Sequence, residues 1–245
     1  MTSGNTDFKP IKVKRTFEVI IDLLREKIFS GELKVGDRLP SERELAQMTQ
    51  VSRNTVRQAY HILNLLGIVD IYKGVTGGAI IREPSHRPLT ESLNDLIGLG
   101  RMKLEHVVEA RLFLEKDIIE LVFERVTEAD LKALEQCAQK SLEIIKAGKP
   151  AHRQNLVFHR HLADIAGNPV LKMVYCSVLD LLTMILVTTA DIKMSAIIAK
   201  EHLAFIDMLR HKDLNRLLAY TEDHIRGSND RLLAVSKGKP FLTKW

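Results

Sequence analysis

The sequence predicts a mainly α protein: an N-terminal winged helix-turn-helix with a two-stranded wing, then an antiparallel bundle of about seven helices. Three observations carry that expectation. Two helix-start signals stand eleven residues apart, at Ser41 and Ser52. A strand–glycine–strand segment follows over residues 68–82. From residue 90 onward the apolar periodicity is helical, with no alternating strand pattern.

Residues 1–10 are expected to be disordered. A first helix over Thr16 to Phe29 has an apolar stripe of Phe17, Ile20, Ile21, Leu24 and Ile28, and Gly31 closes it. Pro40-Ser41 followed by Glu44 is a capping box: the Ser hydroxyl satisfies a first-turn N–H and the Glu reaches back. Ser52 caps the next helix, with Val51 and Val56 at the positions of a hydrophobic staple. Two short helices with so brief a turn must cross steeply, as in a helix-turn-helix. Gly67 ends the second of them. Ile68–Tyr72 then reads as a strand, Lys73–Gly78 as a glycine-rich hairpin tip, and Ala79–Arg82 as the returning strand.

The polar segment 83–89 contains two prolines and reads as a linker. Helices are expected near 90–98, 104–126, 128–147, 151–166, 169–189, 192–210 and 213–235, and should pack as a bundle. The expected organisation is therefore a winged-helix domain over 1–82, a linker over 83–89 and an all-helical domain over 90–245.

At 245 residues, 45% hydrophobic and 27% charged, the composition is that of an ordinary globular protein with room for two cores. The net charge of +5 is unevenly spread. Residues 1–82 carry 13 Lys and Arg against 9 Asp and Glu, and the remainder 23 against 22. The excess sits where contact with phosphate would need it. Cys137 and Cys176 have no metal-binding or disulfide spacing and read as buried thiols of a reducing compartment. The N-terminus has no apolar signal core, and the apolar run near Val178–Ala190 is interrupted by Asp180. A cytoplasmic protein without a membrane partner is expected.

The second capped helix starts Arg53-Asn54-Thr55 and continues to Arg57, while Val56, Ala59, Leu63 and Leu66 take its inner face. The polar starters therefore project outward. Arg can bond guanine bidentately, Asn can do so with adenine, and Thr can meet a phosphate or a thymine methyl. Glycines at Gly74, Gly77 and Gly78 would let the wing approach a groove closely, with Lys73 supplying charge.

Within the bundle, several polar residues lie on apolar stripes. Asn155 and His159 share a face with Leu162 and Ala166, His202 lies with Ile198, Phe205 and Leu209, and His224 with Leu217 and Thr221. Buried polar groups need partners, since an unpaired one costs about 1–3 kcal/mol. Imidazoles suit zinc, nickel, copper or iron and an Asn carbonyl can add an oxygen, but a single inward His is more often a hydrogen-bonded core residue. His61, His86, His106, His152, His161 and His211 show no such pattern and read as surface or structural. Arg111 shares a stripe with Val107, Leu114, Ile118 and Leu121. A buried guanidinium needs an anion, which Glu115 one turn on or a ligand carboxylate could supply. Both readings stay open.

PSERELA, then VSRNTVRQA, then the glycine wing, over residues 36–82, resemble the GntR family of bacterial transcription regulators. The resemblance implies operator contacts at Arg43, Ser52, Arg53, Asn54, Thr55 and Arg57, with Lys73 and Gly74 at the wing tip in the minor groove. Asn54 stands where Thr is common. Glu109–Glu115, Asn155–His159, Glu201-His202 and His224 are similar to the FCD effector domain of the FadR-like subgroup. That resemblance implies Asn155, His159, His202 and His224 as ligands of a divalent transition metal, zinc or nickel, with Arg111 facing an organic-acid effector. Asn155 replaces the usual Asp, and a neutral oxygen weakens the hold on a cation.

The expected function is a homodimeric repressor, not an enzyme, that reads a pseudo-palindromic operator and responds to a small carboxylate. The alternative is a metal-dependent hydrolase fused to a DNA anchor. No Asp or Glu is evidently placed as its general base.

Overall fold

The computed structural model describes residues 14–74, 77–189 and 191–236. Residues 1–10, expected to be disordered, lie outside the described residues, as do Val75 and Thr76 of the expected hairpin tip. Two compact units divide the chain, Met1–Pro88 and Leu89–Trp245.

The first unit contains α1 (Thr16–Phe29), α2 (Glu42–Thr49), α3 (Arg53–Leu65), β1 (Val69–Tyr72) and β2 (Gly78–Ile81). The capping box at α2 forms: Glu44 N–H donates to Ser41 Oγ (3.2 Å) and Ser41 N–H to Glu44 Oε2 (2.8 Å). Gln50 takes the left-handed conformation at φ 54°, which turns the chain sharply into α3. Ile20, Leu24, Leu45, Val56, Leu63 and Val69 fill a single core under the three helices and the sheet. The antiparallel register pairs Val69 with Ile81 and Tyr72 with Gly78. One feature was not legible in the sequence. Residues 36–39 run along the free edge of β2, with Leu39 N–H donating to the Ala79 carbonyl and Ile81 N–H to the Asp37 carbonyl, each at 2.9 Å.

Of the wing glycines, Gly77 and Gly78 serve the hairpin itself. A Cβ at Gly77 would sit 2.3 Å from the Tyr72 carbonyl oxygen, and one at Gly78 would sit 2.9 Å from Arg38 Nε. Only Gly74, at φ +110° with open space around it, keeps the free approach expected of all three.

The second unit is helical: α4 (Arg87–Gly98), α5 (Leu104–Arg125), α6 (Glu128–Lys146), α7 (His152–Ala166), α8 (Pro169–Thr189), α9 (Ile192–His211) and α10 (Leu214–Ser236). α4 starts at Arg87 rather than 90, so the expected linker is shorter. Pro88 sits in its first turn, where the missing N–H is no loss. α7 packs against α5, α6, α8 and α9, and α10 against α5, α8 and α9. One core runs through them, from Ile118 and Val122 of α5 to Leu162 of α7, Leu179 and Leu182 of α8 and Leu209 of α9. Cys137 and Cys176 are free and buried. No described helix is long and apolar enough to cross a membrane.

The first unit depends on the inner face of α3. Leu63 is 0% exposed, so Leu63→Ala should cost about 2–5 kcal/mol of stability. Urea denaturation of the variant checks this, with exposed Gln58→Ala within about 0.5 kcal/mol as the control.

Candidate metal centre and nucleic-acid interface

At the start of α3, Ser52 Oγ accepts from Thr55 N–H at 3.1 Å and lies 2.8 Å from Thr55 Oγ1. Both hydroxyls, expected to meet DNA, therefore already serve the helix start. Arg53 and Asn54 follow on the exposed side, and Arg43 on α2 is exposed beside them. A groove of about 510 Å³ is lined by Arg43, Arg53 and Arg57 together with His61 and Tyr72. His61 and Tyr72 were not singled out from the sequence. His61 continues the Arg53–Arg57 spacing by one more turn, so its signal was present. Lys73 and Gly74 are exposed at the wing. Arg57 is engaged within the protein: its Nε and Nη2 donate to Glu42, the first residue of α2, at 2.7–3.1 Å.

In the bundle, the three inward histidines converge. Ligand atoms of His159, His202 and His224 lie within 4.8 Å of one another. His159 Nε2 and His202 Nε2 are 3.2 Å apart, the separation expected of two nitrogens sharing an ion at about 2.1 Å. Each ring is held from behind. His159 Nδ1 lies 2.6 Å from Glu115 Oε1, which places the proton on Nδ1, and its Nε2 lone pair, 3.2 Å from the Arg111 Nη2 donor, would have to pass from that donor to an ion at the centre. His224 Nδ1 donates in the same way to Glu201 Oε2 at 2.6 Å, and its buried Nε2 has no hydrogen-bond partner. His202 stacks face to face on Phe158, with centroids 4.0 Å apart. Carboxylate-oriented imidazoles of this kind fix the tautomer and raise ligand basicity.

Burial sets the protonation. It pushes His159 down to about 4, against the opposing pull of Glu115, and it drives His202 well below the usual imidazole range. Both are neutral at pH 7, as ligation requires. Glu115 is fully buried, which raises its pKa, yet its partners outweigh that and hold it well below the carboxylate range. Since His159 is neutral at pH 7, the charge holding Glu115 ionised there is that of Arg111.

Arg111, 3% exposed, donates from Nε to Glu115 Oε2 at 3.2 Å. Tyr175 OH donates to the same oxygen. The internal reading of Arg111 is thus correct for Nε, while its terminal nitrogens meet only Ser228 Oγ at 3.4 Å and His159 Nε2 at 3.2 Å. These nitrogens line a small cavity of about 20 Å³ with Asn155, His159, Leu186, Met194, Ser195 and Ile198. Asn155 spends its Nδ2 on the Ser195 carbonyl at 3.1 Å, leaving a buried Oδ1 without a partner.

His152 also lines this cavity, and neither of its ring nitrogens has a partner. The sequence reads His152 as surface or structural, and the structure places it partly buried on the cavity wall. Its position three residues before Asn155 on the same face was the available signal. Burial lowers its pKa, so it faces the cavity as a neutral donor and acceptor. The donor set as a whole, converging imidazoles and an orphaned amide oxygen, fits a divalent transition metal.

Residues 16–76 match the family described as bacterial regulatory proteins, gntR family, and residues 106–227 match the FCD domain. The HTH-type transcriptional repressor NanR of Citrobacter rodentium is 28% identical over 215 residues, covering 84% of this chain and 80% of the relative. NanR of Cronobacter sakazakii is 27% identical over 241 residues, covering 94% and 90%. The solved structure of Streptococcus agalactiae GntR aligns with a TM-score of 0.63 at 28% identity, covering 87% of this chain and 99% of that one.

Glu115 is the test of the buried network. Glu115→Gln keeps the shape but leaves the Arg111 charge uncompensated in the core, which should cost about 3–5 kcal/mol. Denaturant unfolding of the variant measures it.

Proposed function

The chain belongs to the GntR family of bacterial regulatory proteins and carries an FCD domain, and from that premise we propose that it is a homodimeric repressor released from its operator by a small organic acid. It is a DNA-binding transcription regulator with an effector domain, not an enzyme. The hydrolase alternative has no support in its relatives. The carboxylates nearest the imidazoles, Glu115 and Glu201, are also committed to His159 and His224 and are not free to act as a general base.

The observation that carries the sensing half is the convergence of three imidazoles beside a buried Arg111 whose terminal nitrogens face a cavity. A divalent zinc or nickel ion held by His159, His202, His224 and the Asn155 oxygen would supply a Lewis-acidic contact for an acid's oxygens. Arg111 then clamps the carboxylate with its fork, and His152 with Ser195 and Ser228 receives polar groups further along the molecule. A cavity of about 20 Å³ holds roughly one water-sized group. An organic acid must therefore part its walls, and the apolar wall residues Leu186, Met194 and Ile198 are the ones that yield. A ligand shifts an equilibrium only by its differential affinity, and an acid that binds the parted form alone meets that condition. Operator reading is assigned to Arg53 and Asn54, with Arg43 and Lys73 on phosphates, Gly74 at the wing tip and two heads on a pseudo-palindrome in the cytoplasm.

Two variants separate the two halves. Arg53→Ala should weaken specific operator binding by about 1–3 kcal/mol while retaining acid-induced thermal stabilisation. Arg111→Lys, which keeps a charge for Glu115 but loses the fork, should retain operator binding and lose the acid response. Mobility shift and thermal denaturation with a panel of hydroxy and sugar acids read both. Loss of both functions in either variant would count against the division.

Metal analysis of the purified protein tests the centre. One divalent ion per chain is expected, absent in the His159→Ala/His202→Ala double variant, and bound more tightly by Asn155→Asp. Equal metal content in wild type and double variant would remove the ion from the account.

A further inference from the structure

The polar side chains at the start of α3 are not equivalent. The side chains of Arg43 and Arg53 make no hydrogen bond to any described residue. Arg57 is committed at both ends. Its Nε lies 3.0 and 3.1 Å from the two oxygens of Glu42, its Nη2 lies 2.7 Å from Oε2, and its Nη1 donates to Asn54 Oδ1 at 3.3 Å. A chain of contacts thus runs from α2, across the turn, to Asn54 on the exposed face of α3. Its anchor is firm, because Glu42 opens a helix that Ser41 and Glu44 cap reciprocally.

The chain constrains what Asn54 can offer DNA. A guanidinium only donates, so the amide atom facing Arg57 must be the oxygen. Bidentate recognition of adenine needs both amide atoms, the oxygen for the N6 amino group and the nitrogen for N7. Arg57 takes one of the two lone pairs of Oδ1 and competes with a base amino group for that oxygen, so the freely available partner is the Nδ2 donor. Its complements in the major groove are acceptors: guanine N7 and O6, thymine O4, and adenine N7, the last as a single contact without the N6 half of the bidentate pair.

We propose that Glu42, which touches no base itself, sets the base preference of Asn54 by holding Arg57 as a positioning residue. Arg53 reads and Arg57 aims. The wild-type protein therefore favours guanine or thymine beneath Asn54, and the bidentate reading of adenine gains when Glu42 lets Arg57 go. This rests on the operator-reading role proposed above for α3. The pairing also neutralises Glu42, whose pKa the Arg57 hydrogen bonds lower, at a surface where a bare carboxylate would repel phosphate.

The test is selection of binding sites from a random duplex library by the full-length wild type, Glu42→Gln, Arg57→Gln and Asn54→Ala. All three substitutions are on exposed or half-exposed side chains, and circular dichroism confirms the fold. Asn54→Ala should flatten the preference at one base pair per half-site. Glu42→Gln and Arg57→Gln should both change the preferred base at that same pair, towards adenine, leaving the Arg53 position intact. Glu42→Gln should in addition steepen the salt dependence of affinity by about 0.9 in log–log slope, as the freed Arg57 takes a phosphate. A purely structural tie between α2 and α3 would lower affinity uniformly. An unchanged consensus in Glu42→Gln, or no position flattened by Asn54→Ala, overturns the proposal. A wild type that enriches no sequence overturns the operator-reading role itself, and the proposal with it.

Discussion

The ionised carboxylate of Glu115, 1% exposed at the middle of a helical bundle, is the constraint on which the sensing domain depends. Taking such a charge out of water costs several kcal/mol unless it is paired and hydrogen-bonded. Its two oxygens are accordingly saturated by Arg111 of α5, Tyr175 of α8 and His159 of α7. Three helices are thereby tied to one point. The arrangement also dictates chemistry. Because Glu115 takes the Nδ1 proton of His159, the Nε2 lone pair must face inward, and because it takes Arg111 Nε, the other guanidinium nitrogens are left turned to the cavity. One carboxylate thus orients both His159 and Arg111 as the proposed metal and acid sites would need.

Glu201 and His224 repeat the device on α9 and α10. His202 is the exception, fixed by stacking on Phe158 rather than by an acid. Glu115 is matched by Arg111 and Glu201 by Arg231, whose Nη2 lies 3.5 Å from Oε2, so the surrounding formal charges balance and the hold on a cation would fall to the imidazole nitrogens themselves.

Much of this was legible as residue type and spacing. The 3.6-residue period put Asn155, His159, His202, His224 and Arg111 on inward faces, and each is buried or nearly so. Their convergence was not legible, because periodicity fixes a face on one helix and says nothing of how separate helices are rotated towards each other. His152 was harder to recognise: at the first position of a helix, only its spacing to Asn155 one turn on places it on the inward stripe. In the reading head, the caps at Ser41 and Ser52 were evident from local sequence, since each involves a partner three residues on. The Glu42–Arg57 pair spans 15 residues and a sharp turn at Gln50, so no local pattern announced it. The edge pairing of residues 36–39 escaped for the same reason.

The contrast between the two sites follows from their solvent. Glu115 is 1% exposed, so loss of one of its partners is costly and those partners are fixed in role before any ligand arrives. On α3 the Glu42–Arg57 pair is bathed in water, with Arg57 58% exposed, and exposed ion pairs are worth little in stability. Its value lies in geometry instead. A bidentate fork holds a direction even where it contributes little energy, and direction is what an amide reading a base edge requires. The buried network makes the bundle sensitive to a single added charge; the exposed one makes the reading head particular about a single base.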